Sequence, residues 1–103
     1  MSFTVGDTTP PTAPSSLTAA ASGSNQINLS WIASTDNVGV TGYLVERCAR
    51  NGCSNFAQIG TTTATTYSDT GLSSGTTYRY QVRATDSAGN LSGYSNIAKA
   101  KTP

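Results

Sequence analysis

Apolar and polar residues alternate with a period of two along most of this chain. The longest run is 77–84, with Tyr78, Tyr80, Val82 and Ala84 on one side and Thr77, Arg79, Gln81 and Arg83 on the other. That is the pattern of a half-buried antiparallel strand. Gln26–Ile32 repeats it, with Ile27, Leu29 and Trp31 inward and Gln26, Asn28 and Ser30 outward. Ser16–Ala21 places Leu17 and Ala19 inward, and Gly42–Cys48 places Tyr43 and Val45 inward with Leu44 and Glu46 outward. Further strands are predicted at Phe56–Thr62, at Thr66–Ser68 with Tyr67 inward, and at Asn96–Lys101. Turn residues separate them, notably the run 34–39 and the run Asp86–Asn90, and no stretch shows a helical period. The pattern predicts an all-β fold, a seven-stranded antiparallel sandwich of two sheets. Its expected core is Leu29, Trp31, Tyr43, Val45, Leu72, Tyr78, Tyr80 and Val82, with Trp31 as the central residue because it buries the largest area.

Length sets the scale: 103 residues suffice for one two-layer domain and not for two. Residues 1–13 are expected to be an extended linker, since Asp7–Pro14 combines three prolines with threonines. The domain proper is expected over 14–102. Six basic and five acidic residues and no histidine argue against nucleic acid as a partner, which calls for a dense Lys/Arg surface. No apolar run is long enough for membrane insertion. Met1–Thr4 has neither the basic start nor the apolar stretch of a signal peptide, so the module is expected to come from a longer precursor or to start at a cloning methionine. Cys48 and Cys53, with four residues between them in a loop, fit a disulfide joining two strand ends in an oxidising compartment, with a pair of free thiols as the alternative.

Leu29-x-Trp31, Tyr43-x-Val45, Leu72-x-x-Gly75-Thr76-x-Tyr78-x-Tyr80-x-Val82 and Ala84 resemble the core positions of the fibronectin type III family over about residues 13–102. The resemblance implies that the Tyr78 hydroxyl turns back to the preceding turn, the tyrosine corner of immunoglobulin-like sandwiches. Ser74 stands where many members carry proline, which loosens that turn. The phrases 11–19 and 34–43 are similar to those of modules strung along secreted bacterial chitinases, cellulases and other polysaccharide enzymes. What this implies is a non-catalytic accessory or spacer module of an extracellular, secreted or cell-surface protein, with neighbouring domains of the parent chain as partners.

Candidate chemistry is thin. The carboxylates are Asp7, Asp36, Glu46, Asp69 and Asp86, each with an ordinary linker, turn or surface explanation, and no histidine exists for a triad. An enzyme is therefore not expected. Asp36-Asn37 and Asp86/Asn90 fall on two loops at one pole, where calcium would need six or more oxygens; turn capping is the commoner role, and no metal or cofactor is expected. Tyr94, Phe56 and Phe3 are the aromatics left outside the core, and they look too scattered for a sugar platform. Leu44, Glu46, Arg79, Gln81 and Arg83 form the expected contact face, with Arg79 and Arg83 pairing across strands with Glu46. A reading from another class is self-association into an extracellular filament or virion, through edge strands or the tail Ser2-Phe3-Thr4-Val5.

Overall fold

The computed structural model describes residues 9–36 and 39–103. Its strands are β1 Ser15–Ala21, β2 Gln26–Ile32, β3 Val40–Ala49, β4 Ala57–Thr62, β5 Thr66–Thr70, β6 Thr77–Asp86 and β7 Ala98–Lys101. They form two antiparallel sheets, ordered β1-β2-β5 and β4-β3-β6-β7. The elements follow the alternation because each strand buries one face: β6 alternates without a fault along its length. The tail Ser2–Val5, Asp7 and Asn37 lie outside the described residues.

Leu29, Trp31, Tyr43, Val45, Leu72, Tyr78, Tyr80 and Val82 are all buried, together with Leu17, Ile27 and Ala84. The centre differs from expectation. Tyr80 is the largest wholly buried side chain, in one core cluster with Ile27, Leu29, Val45 and Val82, which are also sealed off. Trp31 lies at the end of β2, with its ring edge-to-face on Tyr43 at 5.4 Å. Side-chain area alone did not place it; its position along the strand did.

Strand limits shift where side chains take over backbone work. The last strand begins at Ala98 rather than Asn96, because the Asn96 amide is spent on β1. Its Oδ1 accepts from Leu17 N at 2.8 Å and its Nδ2 donates to Leu17 O at 3.0 Å, joining the two sheets along one side. β1 bulges there, with Ser16 at φ 53°. At the other pole Thr102 is fully buried: its N–H donates to Thr76 O, and its hydroxyl donates to Ser73 O at 2.6 Å and accepts from Thr76 N. Ser73 N donates to the Tyr78 hydroxyl at 3.0 Å, so the turn around Ser74 is tied from both sides without a proline.

The chain enters the sandwich at the pole holding Asp36 and Asp86. Pro11 and Pro14 are buried there, and Thr12 N donates to Thr35 O at 2.9 Å. Residues 11–13, expected as the end of the linker, thus pack against the domain. The chain leaves at the opposite pole, where β7 pairs with the beginning of β6.

Candidate functional site

The inner and outer faces of the four-stranded sheet carry different chemistry. Alternation along β3 turns Tyr43, Val45 and Arg47 inward, so a guanidinium enters the space between the sheets. It meets Asp69 of β5, both carboxylate oxygens lying 2.9 Å from Arg47 Nη1. The Tyr80 hydroxyl donates to Asp69 Oδ2 at 2.7 Å, and the Arg47 guanidinium lies 5.6 Å from the centre of the Tyr78 ring. Burial, reinforced by the Asp69 carboxylate, pushes the Tyr80 phenol well above its usual range. Arg47 is also raised: burial works against its charge, and Asp69 more than offsets it. Asp69 is therefore no ordinary turn or surface carboxylate but a polar clamp between sheets. The sequence carried one signal for it, an arginine at an inward position.

Leu44, Glu46, Arg79, Gln81 and Arg83 do lie together on the outer face. Register puts Leu44 opposite Arg83 and Glu46 opposite Gln81. The expected pairing of Glu46 with the arginines does not form. Gln81 Nε2 donates to Glu46 Oε1 at 2.8 Å, and the Tyr94 hydroxyl donates to Oε2 at 2.8 Å, leaving Glu46 outward on its strand yet buried. Arg83 instead covers the Tyr94 ring at 4.8 Å. Arg79 donates to Cys53 O and lies 5.9 Å from the centre of the Phe56 ring. Among the described residues Arg47–Asp69 is the ion pair that forms.

Phe56 and Tyr94 are thus not scattered: both meet the outer face through arginines of β6. Tyr94 arrives from a segment whose spacing conceals it. Ser92 and Ser95 are buried three residues apart, their hydroxyls accepting from Ala84 N and Val82 N. Their backbone N–H groups donate to the carbonyls of the same two residues. Leu91, Tyr94 and Ile97 are left exposed. Beside Leu44, an open cleft of about 520 Å³ is lined by Thr41, Gly42, Thr61, Thr63 and Thr85. Cys48 and Cys53 form a disulfide with a Cα–Cα distance of 6.0 Å, which closes the loop leaving β3.

At the entry pole the carboxylates turn back on their own loops. Asp86 Oδ1 accepts from Ala88 N and Asn90 N, and Oδ2 accepts from Asn90 Nδ2. Asp36 Oδ2 accepts from Gly39 N at 3.2 Å. Among the described residues no three His, Cys, Asp or Glu side chains gather as a metal site. Among the described residues no helix is long and apolar enough to cross a membrane.

Two sheets in this order, a tyrosine corner and an Asn96 seam define an immunoglobulin-like sandwich with a folded-back carboxylate at one pole. The model of the fibronectin type III domain matches residues 12–101, and the chain belongs to that family. It is 46% identical over 99 residues to an alpha-amylase of Niallia circulans, which covers 96% of this chain and 7% of the amylase. It is 48% identical over 97 residues to Chitinase A1 of the same organism, covering 94% of this chain and 13% of the chitinase. A solved Fn3-like protein from Clostridium thermocellum superposes with a TM-score of 0.76 at 33% identity, over 92% of this chain and 96% of that one. The chain therefore spans a small part of the curated relatives that it matches. Like those segments of multidomain bacterial carbohydrate-active enzymes, it is a non-catalytic accessory module.

Proposed function

We propose that this domain is a spacer in a secreted or cell-surface bacterial enzyme acting on polysaccharide, holding its neighbouring domains at a set separation. The observation that carries the reading is the mismatch in coverage: nearly all of this chain matches small fractions of much longer enzymes. The fold supplies a mechanism. Entry at the Asp36 pole and exit at the Thr102 pole make the sandwich a strut, and the Asp69 clamp and Asn96 seam hold its two sheets together. A disulfide suits an extracellular setting. The residues ahead of Pro11, with Thr8, Thr9 and Pro10, suit a joint to a neighbouring domain of the parent chain.

A chimera tests this. Putting this chain in place of the matching segment of Chitinase A1 should preserve hydrolysis of insoluble chitin, whereas deleting the segment should lower it and leave hydrolysis of a soluble substrate unchanged. Equal activity of the deletion and the chimera on the insoluble substrate would refute the spacer role. The isolated 103-residue chain should be monomeric by light scattering across a wide concentration range. Oligomers that disappear on deletion of residues 1–8 would favour self-assembly through the tail instead.

A further inference from the structure

Building on the accessory-module reading, we propose that the outer face of the four-stranded sheet is a binding platform for a neutral polysaccharide chain, with Tyr94 and Phe56 as its stacking rings. Sugar rings present C–H groups on their flat faces and hydroxyls at their edges. A surface that takes them offers aromatic faces flanked by neutral hydrogen-bonding groups. The outer face supplies both. Arg83 and Arg79, the partners of the two rings, lie four residues apart on β6, about 13 Å at the rise of a strand. Between them stands Gln81, and beyond Leu44 lies the threonine-lined cleft.

Tyr94 is held ready. Arg83 covers its ring, Glu46 anchors its hydroxyl, and the residue is still 41% exposed. A ring ordered before binding loses little freedom on binding. The rings, rather than the charges beside them, point to a neutral ligand, because the charged groups of this strip already have partners within the fold. Glu46 is occupied by Gln81 and Tyr94, and both guanidiniums are engaged, Arg83 on a ring and Arg79 on a ring and a carbonyl. The basic pair Arg79 and Lys99 at the lower edge is the feature that would draw an anionic polymer instead, and salt dependence separates the two cases.

The ¹⁵N-labelled chain is titrated with cello-, chito- and malto-oligosaccharides and, as anionic polymers, with pectate and polyglutamate, and its retention on insoluble cellulose and chitin is measured at low and high salt. At least one of these glycans should move the amide signals of Leu44, Gln81, Arg83 and Tyr94, with Kd of about 1 mM and little salt dependence. Tyr94→Ala should weaken binding about tenfold, while Ile32→Ser on the outer face of the other sheet should leave it unchanged. Phe56→Ser reads the same platform should Tyr94→Ala fail to fold. No shift with any of the neutral glycans overturns the proposal. So does binding confined to pectate or polyglutamate and abolished by salt, or binding that survives both ring substitutions. Any of these leaves the spacer role standing, because the chimera decides that separately.

Discussion

Replacing Asp69 with alanine removes the acceptor that serves both Arg47 and Tyr80. The Tyr80 hydroxyl is sealed from water, so it is left without a partner at a cost of about 1–3 kcal/mol. Breaking a fully buried ion pair costs about 3–5 kcal/mol. Arg47 has 31% of its side chain exposed, however, and its freed charge can be solvated, so the ionic part is discounted. The sum is about 3 kcal/mol, which in a domain of this length lowers Tm by about 15 °C. Urea unfolding followed by the fluorescence of Trp31, the sole tryptophan, gives the value directly. A cycle with Tyr80→Phe then isolates the shared hydrogen bond, with an expected coupling of about 1 kcal/mol. A loss below about 1 kcal/mol for Asp69→Ala, or strict additivity of the two substitutions, would refute the clamp.

Three other outcomes follow from the same contacts. The Tyr80 phenol is raised in the folded state, so its contribution is complete below the unfolded value near pH 10 and is lost as pH climbs towards the folded one. Stability should fall on going from pH 9 to about 11, and less steeply in Tyr80→Phe, as read by urea midpoints. Asn96→Ala leaves both backbone groups of Leu17 without their partner and should cost about 1–2 kcal/mol, with faster hydrogen exchange at the Leu17 amide. Reducing the Cys48–Cys53 disulfide should cost about 2 kcal/mol of urea stability, the loop-closure value for so short a ring, and a Cys48→Ala/Cys53→Ala chain should lose its sensitivity to reductant.

The strands and the core were legible in the sequence because the pleat is local: period two sorts neighbours onto two faces without reference to the rest of the chain. Gln26–Ile32 was predicted with its observed limits, and the Tyr78 hydroxyl bonds to the turn at Ser73 as the family resemblance implied. The alternation of β3, carried one step past Val45, turns Arg47 inward, but no local pattern can name Asp69, which is 22 residues away and in the other sheet. That partner is chosen by how two sheets stack. Register likewise decided the outer face, setting Gln81 rather than an arginine opposite Glu46. Tyr94 was hidden for a different reason. The segment around it repeats every three residues, with Ser92 and Ser95 bonded to β6, and a period-two reading has no place for such a stretch. Local alternation determined which residues face in and which face out; only the packing of distant strands decided which of them meet.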